Sequence, residues 1–286
     1  MLRLGYDTWL WTKGNFEHKD LWVVKEAKRL GGNVIDFAIS DHTVFPAEEA
    51  AALIAETGLE PVTSTTLLAH NNPISPQPDI RAKAVESMKA LIDITKTLGG
   101  HLTAGVNYAG SGCLTGKLRT KQELEWSAEC MREAADYAME RDIVVAVEPV
   151  KRFESHLINR AEQALEYIEL VGRSNMGIHL DCFHMNIEEP DIPGAVEICG
   201  DRLKYMHLVD SNRGAPGQGH IPWLYLFKAL KKIGFDGPAT FETFGPDDIE
   251  DTYPITMQGQ KFAESTADLC EKAMRYLNAV QTMVFE

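Results

Sequence analysis

The chain has 286 residues, 44% hydrophobic and 24% charged, with a formal net charge of 28 − 42 = −14. That balance suits a globular protein with a large core, in one large or two small domains, while so acidic a surface repels phosphate backbones and excludes nucleic acid as an expected partner. No apolar run approaches the ~18 residues needed to cross a bilayer, and the amino-terminal MLRLGYDTWLWTK lacks the apolar stretch and cleavage site of a secretory signal, so no membrane partner and a cytoplasmic location are expected.

From the amino terminus onward, short β-rich runs alternate with amphipathic helical patterns at a spacing of roughly 35 residues. Strands are predicted at 3–9, 33–39, 60–66, 101–107, 143–148, 176–181, 203–209 and 238–243. Helices are predicted near 19–30, 47–57, 79–98, 121–141, 160–171, 191–199, 223–233 and 259–281. Gly31, Gly58, Gly99, Gly172, Gly200 and Gly234 follow helical runs, as left-handed C-caps require. Thr120 with Glu123 and Asn159 with Glu162 read as capping boxes, and Pro46 and Pro222 sit near first turns.

Eight such units argue for an α/β fold, a single-domain (β/α)8 TIM barrel over residues 1–286. A doubly wound sheet usually has fewer units, and with a dinucleotide it carries a GxGxxG turn after its first strand, where this chain reads TWLWTKGNF. GSGCLTGKL fails as a phosphate loop, because Ser111 stands at the first glycine position and Leu118 follows the lysine. The five cysteines are widely spaced and form no CxxC pair, so they read as free thiols, and Asp181 beside Cys182 argues against a nucleophile there.

In a parallel barrel the functional groups project from the carboxyl ends of the strands. IVVAVEP ends in Glu148, MGIHLD in Asp181, LKYMHLVD carries His207, and PATFE ends in Glu242. A lone carboxylate at a strand end is more often a helix N-cap or a solvated residue, and a lone histidine in an apolar strand is more often a hydrogen-bonded core group. Four successive strands delivering one ligand type each at equivalent positions favour a metal site. Three carboxylates and one imidazole suit Mn2+ first, with Co2+ or Mg2+ also possible, better than zinc. Open coordination positions would let such an ion polarise a carbonyl.

The segments EPVKRFESHLIN (148–159), LDCFHMNIEEP (180–190), HLVDSNRGAPGQGHIPW (207–223) and FETF (241–244) together resemble the ketose 3-epimerases, the D-tagatose and D-psicose (allulose) 3-epimerase group of xylose-isomerase-like barrels. The resemblance implies that Glu148, Asp181, His207 and Glu242 are the metal ligands and that Glu148 and Glu242 are also the catalytic acid/base pair. It implies that Glu154, His184 and Arg213 grip the O1 and O2 end of a ketose substrate. Phe244 matches an aromatic beside the last ligand, and Tyr6 a residue at the end of strand one. A homodimer or homotetramer is implied as well. Relatives commonly carry a tryptophan after strand four; this chain reads GVNYAGSGC there, and Tyr108 is the candidate replacement.

Inverting C3 of a ketose requires removing a proton from one face and returning one to the other, work for two opposed carboxylates. A free sugar is expected over a phosphorylated one, because FGPDDIEDTYP after strand eight carries four acids. The competing readings are an aldose–ketose isomerase acting at C1 and C2, of the hydroxypyruvate-isomerase type, inosose or other polyol dehydration, and a non-catalytic metal-dependent sugar-binding protein.

Overall fold

Eight short strands, too apolar to leave either face in water, close on one another: β1 (Arg3–Asp7), β2 (Val34–Ala38), β3 (Glu60–Thr66), β4 (Leu102–Val106), β5 (Val144–Val147), β6 (Met176–Asp181), β7 (Leu203–His207) and β8 (Pro238–Phe241). The computed structural model describes residues 1–12, 14–246 and 263–286. The strands run parallel in sequence order, and β8 returns to pair with β1 with Tyr6 opposite Phe241. The predicted TIM barrel is the observed fold.

Side chains alternate across each strand, and the alternation divides the core in two. Ile35 and Phe37 belong to the large layer between strands and helices. Val34, the neighbour of Ile35, joins Val62, Leu102, Ala104, Ala146 and Tyr205 in a smaller cluster inside the barrel. Along β2 the inward series runs from Val34 to Asp36, so the interior turns polar toward the carboxyl ends of the strands.

The outer helices are α1 (Trp22–Arg29), α2 (Ala47–Thr57), α3 (Pro78–Thr97), α4 (Lys121–Met139), α5 (Ala161–Val171), α7 (Ile192–Cys199), α8 (Trp223–Lys232) and α9 (Thr266–Phe285). Gly58 and Gly172 end α2 and α5 in the left-handed conformation that the sequence required of them. The Thr120 capping box is present, with Glu123 N–H donating to Thr120 Oγ1 at 3.1 Å. The one at Asn159 is not. Asn159 Nδ2 donates to Val150 O and Ser155 O, pinning the loop before α5, and Gln163 Oε1 accepts from the backbone of Asn159 and Arg160. The described part of the last helix starts at Thr266, capped by Ser265; positions 259–262 of the predicted helix, and residues 247–254 of the acidic segment, lie outside the described residues. All five cysteines are free, and among the described residues no helix is long and apolar enough to cross a membrane.

No periodicity marks α6 (Cys182–Glu188), a two-turn helix directly after β6. It explains the run of polar groups there, since a strand that passes straight into a helix needs an N-cap at the junction.

Candidate metal and substrate site

Four successive strand ends place their polar groups around one imidazole nitrogen. His207 Nδ1 lies 3.9 Å from Glu148 Oε1, 3.6 Å from Asp181 Oδ2 and 3.8 Å from Glu242 Oε2. Among the described residues, His207 Nδ1 and Asp181 Oδ2 have no hydrogen-bond partner although both are buried. Unpaired buried donor and acceptor atoms facing one point are costly unless something occupies that point, and three carboxylate oxygens with one imidazole nitrogen fit a hard divalent cation.

The cap and ligand readings of Asp181 both hold, on different oxygens. Oδ1 accepts from Phe183 N–H at 2.6 Å and His184 N–H at 3.0 Å, capping α6, while Oδ2 faces His207.

So many buried charges shift one another. Burial, with Asp181 and Glu242 nearby, pushes Glu148 up to about 8 against the pull of His207. Burial raises Glu242 as well, opposed by Arg213 and His207. Asp181 is held well below the carboxylate range: burial works against ionisation there, but Arg213, His184 and His207 outweigh it. His207 is raised well above its ordinary value, with burial overcome by the Asp181, Asp36, Glu242 and Glu148 carboxylates. A cluster that holds protons in this way is one from which a cation would displace them.

A cavity of about 600 Å³ opens above the cluster, with Glu148, Glu242, Glu154, His184, Arg213 and Phe244 in its wall. Arg213 hydrogen-bonds Glu242, approaches Asp181 Oδ2 at 3.5 Å and lies 4.4 Å over the Phe183 ring. Its backbone is left-handed, φ 61°, a conformation uncommon for a non-glycine residue and shared among the described non-glycine residues only with Asp142. Glu154 bonds the Lys151 ammonium, which lines the same cavity and is lowered to about 8 by burial and then by Arg213. His184 Nδ1 accepts from Lys151 N–H at 3.3 Å, and its Nε2 lies 3.9 Å from Glu148 Oε1. Burial lowers this imidazole to about 3 and keeps it neutral.

Comparison with known proteins agrees with this geometry. Residues 24–276 match the xylose isomerase-like TIM barrel family. A ketose 3-epimerase of Arthrobacter globiformis is 32% identical over 85% of this chain and 84% of its own length. An L-ribulose 3-epimerase of Methylomonas sp. (strain DH-1) is 32% identical over 88% of each chain. The chain belongs to the ketose 3-epimerase family. Its fold superposes on the crystal structure of a D-allulose 3-epimerase from Methylomonas sp. in complex with D-allulose with a TM-score of 0.90, at 30% identity over 97% of this chain and 96% of the other.

Two residues expected from the family resemblance are not in the cavity wall. Tyr6 faces outward, because strand alternation turns its neighbours Gly5 and Asp7 inward; its hydroxyl donates to Leu30 O at 2.9 Å and its ring meets Trp11 edge-on. Tyr108 is also wholly buried, its hydroxyl donating to Ile158 O at 2.9 Å and its ring against Tyr167, so it is not the sugar-facing aromatic that the resemblance suggested.

Sequence reasoning missed Trp9. The turn Thr8–Leu10 after β1, capped by Asp7, carries this half-buried indole into the cavity, where it lies 5.4 Å from Phe244. Lys151, which bonds Glu154 in the same cavity, was not singled out as a site residue either. Asp36 and His179, both wholly buried in the barrel, also reach the cluster: His207 Nε2 lies 3.2 Å from Asp36 Oδ2, and His179 Nδ1 lies 3.6 Å from Glu148 Oε2. Their signal was an acid and a histidine two positions ahead of the strand ends Ala38 and Asp181. The cluster itself comes from β5 to β8, whereas Trp9, Ser40, Thr66 and Val106 of the cavity wall come from β1 to β4 and their loops.

Proposed function

We propose that the protein, as one catalytic domain over residues 1–286, is a divalent-metal-dependent epimerase that inverts C3 of a free ketose of the D-tagatose, D-fructose, D-psicose or L-ribulose class. The observation that carries the reading is that Glu148 and Glu242, from strands separated by β6 and β7, approach the same His207 Nδ1 at 3.9 and 3.8 Å and both stand in the wall of one cavity. A sugar binder has no use for two such carboxylates.

Glu148, Asp181, His207 and Glu242 would hold the ion, Mn2+ by preference for this donor set and Co2+ or Mg2+ next. When bound it supplies Lewis-acid polarisation of the C2 carbonyl, which acidifies the C3 proton. One glutamate takes that proton from one face of C3 and the other returns a proton to the opposite face, the roles exchanging with direction. Arg213 is a fixed cation beside Glu242 and favours its ionised form. Neutral His184, with Glu154 and Arg213, orients the O1 and O2 end of the sugar, and Trp9 with Phe244 gives it an apolar wall. A homodimer or homotetramer is the state the family resemblance implies, and the cytoplasm is its proposed location.

The test is incubation with a panel of free ketoses and Mn2+ in D2O. Deuterium at C3, with C1 unlabelled and the ketone still at C2, is the expected result. An aldose product or label at C1 replaces this reading with a C1–C2 isomerase, and binding without exchange replaces it with a sugar-binding protein.

A further inference from the structure

The imidazole at the centre of the cluster has a second nitrogen, and what holds it lies across the barrel. His207 Nε2 is 3.2 Å from Asp36 Oδ2, although β7 and β2 are not neighbours in the sheet. Asp36 is fully buried. Among the described residues its Oδ2 meets the Tyr205 hydroxyl at 2.7 Å and His207, while Oδ1 has no partner. No lysine or arginine makes an ion pair with it among those residues. A buried carboxylate so placed is costly unless it serves a charged or polarised partner.

The rings around His207 do not choose its orientation. Tyr205 and His179 meet it edge-to-face, with centroids 5.0 and 4.1 Å away, contacts that a ring turned by half a revolution would keep. Only the polar contacts distinguish nitrogen from carbon. We propose that Asp36 is the positioning residue of the metal centre, holding His207 by Nε2 so that Nδ1 faces Glu148, Asp181 and Glu242. Carboxylates on the far nitrogen of a metal-binding imidazole commonly fix its tautomer and raise its basicity. The bland alternative is that Asp36 serves Tyr205, whose hydroxyl also meets Thr240, as part of barrel packing. The inference rests on the metal reading of the site.

The test titrates the chelator-stripped full chain with Mn2+ by calorimetry. Asp36→Asn keeps the shape and removes the charge, and weakens Mn2+ binding about 10–100-fold, while Tyr205→Phe, which removes the other bond to Asp36, stays within about threefold of the parent. An Asp36→Asn protein that binds as the parent does, or a Tyr205→Phe protein that loses as much, overturns the assignment. A parent that takes up no Mn2+ overturns the metal reading and this inference with it. Nitrogen NMR of the unsubstituted chain with diamagnetic Mg2+ serves should Asp36→Asn fail to fold. The His207 signals, identified by their loss in His207→Gln, should show a slowly exchanging proton on Nε2 and none on Nδ1, and the reverse pattern overturns the proposal.

Discussion

Asp181 and His207 face each other with unpaired atoms, Oδ2 and Nδ1, 3.6 Å apart, while the other oxygen of the same carboxylate caps a helix. The two roles separate by substitution. Asp181→Asn retains an acceptor for the Phe183 and His184 N–H groups and loses only the charge that Arg213 and His207 favour, so the thermal stability of the metal-free protein should fall less than in Asp181→Ala. Asp181→Ala also loses the cap, at a cost of about 1 kcal/mol. Both should fail to bind Mn2+ in calorimetric titration, and an Asn variant with parental affinity would remove Asp181 from the ligand set.

Glu148→Gln and Glu242→Gln keep shape but cannot exchange protons as carboxylates do. Each should reduce C3 exchange in D2O by about 100-fold or more, since positioned acid–base groups contribute on that order. Both side chains stand just past their strands, so circular dichroism should report an intact fold. Undiminished exchange in either variant would refute a two-glutamate mechanism.

The aromatic residues divide into wall and scaffold. Trp9→Ala should lower kcat/KM about tenfold or more, because it removes packing against the bound sugar. Tyr6→Phe loses a buried hydroxyl shared between Leu30 O and, at longer range, Cys270 O, Tyr108→Phe loses the bond to Ile158 O, and each should cost about 1 kcal/mol in urea unfolding with kinetics unchanged. A kinetic defect in Tyr108→Phe that exceeds the one in Trp9→Ala would reverse this division.

Metal-free protein should lose stability between pH 6.5 and 8. Glu148, raised to about 8, and His207, raised well above its ordinary value, bind protons in the folded state that the unfolded chain has released in this window. With more protons on the folded state, stability falls as pH rises, by about 1.4 kcal/mol per pH unit for each such proton. His179 and His184, kept neutral by burial, oppose this at the acid end of the window, where the unfolded chain's imidazoles are still partly protonated, so the slope steepens toward pH 8. Saturating Mn2+ should abolish the slope by displacing the same protons. Urea midpoints at the two ends of the window, with and without metal, measure it; a slope that survives metal would place its source elsewhere.

Glu154→Ala should weaken turnover about tenfold or more while leaving Mn2+ affinity nearly unchanged, since Glu154 bonds Lys151 and lines the cavity but makes no ion pair with the four clustered side chains. Parental kinetics would reduce Glu154 to a partner of Lys151.

The barrel and the four clustered side chains were legible because each rests on a local regularity: a β-run, a turn, and one acid or histidine at the strand's end, repeated. What escaped depends on direction. Tyr6 and Asp7 stand side by side at the end of β1, and only the pleat, fixed by pairing with β2 and β8, turns the acid inward and the tyrosine out. Trp9 reaches the cavity through a single 3-10 turn, too short to leave a periodic trace. Asp36 contacts His207 across a separation of 171 residues, a pairing that exists only once the barrel closes. Asn159 shows the converse error, a plausible cap residue recruited by its own loop.

The cluster is built by the second half of the barrel, and much of the cavity wall above it by the first. Such a division lets recognition drift while the chemistry is conserved. Substitutions at Trp9, Ser40, Thr66 and Val106 can reshape the chamber for a longer, shorter or differently configured chain of hydroxyl groups without disturbing a ligand. A library confined to these four positions should yield altered sugar preference with metal affinity intact, and an inheritance of this kind would let one scaffold serve many ketoses.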